Sequence, residues 1–214
     1  MKEGDLPVRR RNAAATREAI LQSARRAFVR AGYDGAGLRE IAADAGVTAM
    51  LVNRYFGSKE GLFEEVIVRT MAQPVILTPE NLKSPGLGKI IASTLVNITR
   101  SGETPLDGFL IMLHSTASQR ASEIGRKLIE KGHQKTLAKA LSGPHAAERA
   151  ALVLAIVAGV QVMRQMLALP ALAKAKPEVL VQMLAPVFDQ LVQARVGNAA
   201  GNGASKTTSS PVTG

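Results

Sequence analysis

The chain has 214 residues, 46% of them hydrophobic and 21% charged, a balance that supports a buried core and excludes a wholly disordered protein. It contains no cysteine, which excludes disulfides, thiolate metal sites, iron–sulfur clusters and cysteine nucleophiles. Lysine and arginine number 27 against 17 aspartates and glutamates, a formal net charge of +10 that suits a polyanionic partner, nucleic acid or an anionic lipid surface.

Positive charge is densest at the front. Residues 1–59 hold 11 basic side chains against 6 acidic ones, and the remaining residues hold 16 against 11. Residues 1–12 are polar and carry Lys2, Arg9, Arg10 and Arg11, the composition of a flexible basic arm. No apolar stretch follows that would serve as a signal-peptide core, so a cytoplasmic protein is expected.

From there the apolar spacing is helical, with no sustained alternation at period two, and the fold class expected is all-α. Ile20, Ala24, Ala27, Phe28 and Ala31 form one buried helical face, and Gly32 ends that helix. A short helix runs from Leu38 to Ala45 and stops at Gly46. A third starts at Thr48, an N-cap type, and ends near Phe56; Ser58 caps a fourth. Ala72 to Gly88, with Pro74, Pro79 and Pro85, reads as a linker with a short turn near Glu80. Later helices are predicted at 87–100, 106–116, 121–141, 146–167 and 177–194. Pro105 and Pro177 sit at tolerated first-turn positions, whereas Pro186 should bend the last helix. The division expected is a basic arm at 1–12, a three-helix head at 13–60, a helical bundle at 61–196, and a Gly/Ser/Thr-rich disordered tail at 197–214.

Two short helices joined by a turn at Gly46 and Val47 make a helix-turn-helix whose second member suits the DNA major groove, although any short helical hairpin with a glycine shares that outline. More specific is the string Gly32-Tyr33, Leu38-Arg39-Glu40-Ile41-Ala42, Ala45-Gly46-Val47-Thr48 and Val52-Asn53-Arg54-Tyr55-Phe56-Gly57-Ser58-Lys59-Glu60-Gly61-Leu62-Phe63. It resembles the tetracycline-repressor (TetR) family of bacterial transcriptional regulators, closely from Thr16 to Val66 and by length and helix order beyond. The resemblance implies a homodimer with a DNA-binding head and a helical ligand-binding body. It further implies repression at a palindromic double-stranded operator, relieved by a small-molecule effector.

By that resemblance Val47, Val52 and Phe56 match inward positions that lock the recognition helix onto Ile41 and Phe28. Thr48 matches a phosphate-holding helix start, and Lys59 a lysine opening the fourth helix beside the DNA backbone. The chain departs from the family at Met50, Leu51 and Asn53, and Gly37 replaces the usual cap of the second helix. Ala49, Met50 and Leu51 offer apolar contact, for instance to thymine methyls, while Asn53 and Arg54 can hydrogen-bond base edges and Tyr55 can reach a phosphate. Arg39 completes the expected DNA set, with Arg9 to Arg11 tracking phosphates or the minor groove, or else forming a solvated basic tail.

The stretch Ala150 to Val160 is apolar on nearly all sides and demands cover on two. Ala147, Ala151, Ala155 and Gly159 form a small-residue ridge beside Ile156 and Val160, and with Val187 on the last helix they are the expected dimer interface; an intrachain core helix is the alternative. The effector cavity is expected among Met71, Ile91, Leu95, Phe109, Met112, Leu113, Met163 and Met166, with His114, Gln161 and Arg164 as polar anchors. The row Lys127, Lys131, Lys135 and Lys139 reads as a solvated face or a surface for an acidic partner or anionic lipid.

Catalysis is not expected. The histidines are His114, His133 and His145, without metal-ligand spacing, and neither a phosphate-cradling glycine loop nor a Gly-x-Ser-x-Gly turn is present. No cofactor or metal is expected. A helical adaptor on an anionic membrane or an acidic partner is the rival reading, but it leaves the recognition-helix string unexplained, and no membrane association is expected.

Overall fold

The computed structural model describes residues 6–71, 75–100 and 107–193, helices joined by turns and short irregular segments with no strand among them. The head comprises α1 (Leu6–Gly35), α2 (Leu38–Asp44), α3 (Ala49–Phe56) and α4 (Lys59–Met71). The body comprises α5 (Pro79–Leu82), α6 (Leu87–Ile98), α7 (Asp107–His114), α8 (Gln119–Ile129), α9 (Lys135–Ala140), α10 (Ala146–Gln161), α11 (Pro170–Ala173) and α12 (Pro177–Val192).

Local chemistry sets the head boundaries. The Thr48 hydroxyl accepts from the Leu51 amide and the Ser58 hydroxyl from the Gly61 amide, satisfying donors that a helix start leaves unpaired. Helix α2 starts at Gly37 with no side-chain cap. Its buried Ile41 packs with Ile20, Ala24 and Phe28 of α1, Val52 of α3, and Leu62, Phe63 and Ile67 of α4. Phe63 meets Phe28 and Tyr33 edge-on, with centroids 5.1 and 5.0 Å away, the favoured arrangement of ring quadrupoles. Ile111 of α7 and Ala121 of α8 close the same cluster, so head and body share one core across the expected boundary at residue 60.

A second core joins Leu87, Ile91, Ala92 and Leu95 of α6 to Phe188 of α12, Ala150 and Val153 of α10, and Leu137 of α9. Two buried arginines brace it without a carboxylate partner among the described residues. Arg149 donates to the carbonyls of Leu191 and Val192 at the end of α12, and also to those of Ser142 and Pro144. Arg164 donates to the Val96 carbonyl and the Thr99 hydroxyl at the end of α6, and to the Leu172 carbonyl. Each cation thus satisfies carbonyls that a helix C-terminus leaves without partners.

Several boundaries differ from the sequence expectation. Helix α1 begins at Leu6, so residues 6–12 are helical and not a loose arm; residues 1–5 and 197–214, and Pro105, lie outside the described residues. The helix expected at 121–141 is divided into α8 and α9 by a π-helical turn, Glu130–Gln134, and the one expected at 146–167 passes at Val162 into a second, Val162–Met166. The short helices α5 and α11 each begin with a proline, whose fixed φ suits a first turn. Pro186 lies inside α12, which continues through it.

Candidate functional site

Gly46, at φ 68°, makes the turn between α2 and α3. A Cβ there would meet nothing within 4 Å, so the glycine serves the left-handed backbone and not close packing. The turn closes through the Val47 amide on the Ala42 carbonyl at 2.9 Å. Val52 then faces inward, fully buried, and Val47 and Phe56 pack partly buried on the same core. Arg17 lays its guanidinium 4.9 Å from the Phe56 ring centroid while pairing with Glu65, which fixes the end of α3 to α1 and α4.

That inward seal decides what α3 offers to solvent. Met50 is 81% exposed, Asn53 and Arg54 are exposed, and Ala49, Leu51 and Tyr55 are half-buried, Ala49 and Tyr55 against the head core. Arg39 is exposed on α2, and neither it nor Arg54 has an ion pair among the described residues, whereas Arg26 and Arg30 beside them are neutralised by Asp44 and Glu40. Lys59 is half-buried. Its ammonium lies 4.7 Å from the Tyr33 ring centroid and reaches the Asp34 carbonyl, so the cation is held at the joint between α1 and α4. Burial, and then a hydrogen bond to Glu60, pushes the Tyr33 phenol up to about 12. Side chains of Arg9, Arg10 and Arg11 lie outside the described residues.

A cavity of about 330 Å³ lies between the end of α4 and the helices of the body. Helix α4 supplies Thr70 and Met71; α7 supplies Gly108, Phe109 and Met112; α10 supplies Val153, Leu154, Val157, Ala158 and Gln161. Val75, Ile76, Leu77, Ile98, Ile129 and His133 complete the wall. A smaller recess of about 170 Å³ shares Met71, Leu77 and His133 with it. Burial holds the His133 imidazole below the ordinary histidine range, so the ring is neutral near neutral pH.

Of the side chains expected in the cavity, Met71, Phe109, Met112 and Gln161 line it. The others do not. Ile91 and Leu95 are wholly buried in the α6–α12 core. Leu113 is half-buried outside the cavity wall, and exposed His114 holds the Val29 carbonyl of α1 through Nδ1 at 2.7 Å. Met163 is exposed, Met166 half-buried and Arg164 committed to carbonyls; at about 100° per residue, two and five positions past Gln161 already turn Met163 and Met166 away from the face carrying Val153 and Val157. His133 escaped the sequence reading because it sits amid an exposed lysine row; its place in a π turn gives no periodic signal.

Helix α7 lines the cavity and also packs on α1 of the head. Its start is tied to α1 by the Arg25–Asp107 ion pair, and the α7–α8 corner by the Tyr33 amide donating to the Ser115 hydroxyl at 2.9 Å and the Ser118 hydroxyl donating to Asp34 at 3.1 Å.

On the far side of the body, Ala147, Ala151, Ala155 and Gly159 form an exposed ridge, while Ile156 and Val160, expected beside them, are half-buried against the body core. Val187 is exposed, and so are Leu152, Val179 and Met183, which the sequence reading did not single out. The stretch Ala146–Met166 has the length and apolarity of a membrane span but is mostly unburied, so its apolar surface lacks cover within one chain. Lys127, Lys131, Lys135 and Lys139 are all exposed.

Two family models match the sequence, "Bacterial regulatory proteins, tetR family" over residues 20–66 and "Tetracyclin repressor-like, C-terminal domain" over 86–192. No curated protein sequence matches it. Among solved structures, a TetR-family regulator from Streptomyces coelicolor A3 is 24% identical, with 84% of this chain and 95% of that one covered and a TM-score of 0.56. GusR from Salmonella enterica is 17% identical, with 83% and 95% covered and a TM-score of 0.66. NalD, the secondary repressor of the MexAB-OprM multidrug efflux pump in Pseudomonas aeruginosa, is 19% identical, with 87% and 100% covered and a TM-score of 0.64. At these identities the likeness shows the shared fold.

Proposed function

The chain belongs to the TetR family of bacterial transcriptional regulators, and on that footing we propose that it is a ligand-responsive repressor that grips a palindromic operator as a homodimer and lets go when a small molecule enters the body cavity. The observation that carries this reading is the position of α7. Gly108, Phe109 and Met112 line the cavity, while Asp107 and His114 of the same short helix hold α1 of the head. An occupant that pushes on Phe109 or Met112 therefore pushes on the helix that orients the head. Binding at one site then alters the other by a difference in contact energy between two arrangements of α7.

Asn53 and Arg54 read base edges in the major groove, Met50 and Leu51 lie against apolar base edges with Ala49, and Arg39, Thr48, Tyr55 and Lys59 meet phosphates. Arg9 to Arg11 extend the phosphate contact. The exposed apolar side chains of α10 and α12, Leu152, Ala155, Met183 and Val187 among them, support dimerisation through these two helices. A two-fold pair of recognition helices about 34–36 Å apart would read half-sites one helical turn from each other. The cytoplasm is the compartment this role requires.

Fluorescence-anisotropy titrations test it, using the purified chain with the intergenic DNA beside its own gene and a scrambled duplex across a salt series. Tight binding to the first alone, falling steeply with salt, supports the reading; equal weak binding to both counts against it.

A further inference from the structure

The cavity wall is mainly hydrocarbon. Among the described residues it contains no aspartate, glutamate, lysine or arginine. A cationic guest would find no counter-charge there and an anionic guest no ammonium or guanidinium, and each would lose hydration without compensation. An uncharged guest loses little.

Three polar side chains do reach the wall, and they differ in what they have left to give. Thr70 spends its hydroxyl proton on the Ile67 carbonyl at 2.9 Å. Gln161 and His133 make no side-chain hydrogen bond among the described residues, although both are half-buried and both line the cavity. Between them they offer donors and acceptors, since the amide does both and a neutral imidazole carries one of each. Each also stands at an irregularity of its helix. His133 lies within the π turn Glu130–Gln134, and Gln161 immediately precedes the π turn Val162–Met166. Such turns interrupt the helical register at some cost and recur at binding sites.

We propose that this cavity takes an uncharged, mainly aliphatic molecule carrying one hydroxyl or carbonyl group, with Gln161 and His133 hydrogen-bonding that oxygen and Met71, Phe109 and Met112 enclosing the hydrocarbon. The methionines suit a flexible chain, because an unbranched thioether side chain adapts its packing to the guest. The proposal names the ligand class of the site that the repressor reading uses, and it rests on that reading only for the consequence of binding.

Isothermal titration of the full-length protein, free of DNA, with 1-decanol, decanoate and decyltrimethylammonium separates the head-group chemistries on one hydrocarbon chain. Decanol should bind at least about ten-fold tighter than either ion. Gln161→Leu and His133→Phe should each weaken it by roughly ten-fold, the size of one buried neutral hydrogen bond. Gln161→Glu should shift preference toward the ammonium, a gain that a misfolded variant would not show. Equal or tighter binding of either ion by the unmodified protein, no binding of any of the three, or indifference of decanol to both substitutions overturns the proposal. Decanol binding with the expected variant pattern that leaves operator affinity unchanged upholds the ligand class and contradicts the repressor reading instead.

Discussion

Gly32 of α1 lies directly against the backbone of His114 at the end of α7: a Cβ on this glycine would stand 2.3 Å from the His114 carbonyl oxygen. The same residue has φ 64° and ψ −172°, a conformation costly for any side chain other than hydrogen. Both constraints act where the head meets the helix that walls the cavity. Gly32→Ala is expected to lower stability by about 2–4 kcal/mol and to weaken operator binding beyond what the lost folded fraction explains. Urea unfolding together with anisotropy on the same samples checks it; an unchanged midpoint would show that the contact yields without consequence.

The proposed DNA contacts divide by chemistry. Exposed Asn53 and Arg54 stand on the outer side of α3, whereas Lys59 is held at the α1–α4 joint by Tyr33 and Asp34. Replacing Asn53 or Arg54 by alanine should cost about 1–3 kcal/mol on the preferred duplex and relax the preference at particular base pairs. Lys59→Ala should weaken binding to all duplexes alike and reduce the salt slope by about one. Binding isotherms on a set of single-base operator variants distinguish the two patterns, and identical patterns for both classes would contradict the division.

Arg149 is 2% exposed and satisfies four carbonyls around the end of α12. Its removal takes the shared donor from those part-buried carbonyls and empties a buried site, so Arg149→Ala should destabilise the chain by about 2–4 kcal/mol. Arg149→Lys should recover less than half of that loss, since one ammonium cannot serve carbonyls spread around a planar fork. Chemical denaturation of the three proteins measures the series.

Burial lowers the pKa of His133 from its ordinary 6.5. Unfolded chains therefore take up a proton on this ring at a higher pH than folded ones, and the neutral form is the one the fold accommodates. The sign of the linkage follows: the stabilisation is complete above the unfolded value and is lost as pH falls from about 6.5 through the lower folded value. Unfolding free energies measured from pH 7.5 to pH 5 should decline more steeply for the unmodified protein than for His133→Phe. Parallel declines would contradict the assignment.

An exposed apolar face on α10 and α12 is expected to be covered by a second copy. Met183, 67% exposed, stands on it with Leu152 at 53%. Met183→Glu places a charge against that cover and should convert a dimer to a monomer in sedimentation velocity, with operator affinity reduced at least about a hundred-fold. A variant that stays dimeric would move the interface elsewhere.

Much of the head was legible in the sequence because its signals are local. Thr48 and Ser58 cap helices through their own hydroxyls, Gly46 takes the left-handed turn, and the inward spacing of Ile20, Ala24 and Phe28 continues to Ile41 and Val52. In the body the signals are not local. The π turns at Glu130–Gln134 and Val162–Met166 have no composition of their own, and each shifts the residues after it by a fraction of a turn. Met163, Arg164 and Met166 are offered as cavity residues by side-chain chemistry alone, and a methionine on a cavity wall has no sequence signal that separates it from one on an outer face. Helical periodicity could not distinguish Ile91 and Leu95, sealed against α12, from residues at a void, since both environments select large aliphatic side chains. The sequence offers Arg164 as a cavity anchor and gives no sign of the role of Arg149, because the carbonyls of Val96, Leu191 and Val192 that they satisfy come from helices distant in sequence.

In the proposed complex, two copies of α3 read a two-fold symmetric DNA site. Selection of bound sequences from a random duplex pool by the purified protein tests it most directly. The expected product is a palindrome with half-site centres about 10 base pairs, or a small multiple of that, apart, and it is lost when Asn53 and Arg54 are replaced by alanine. A pool that remains random, or one enriched in an asymmetric site indifferent to those two side chains, would contradict it.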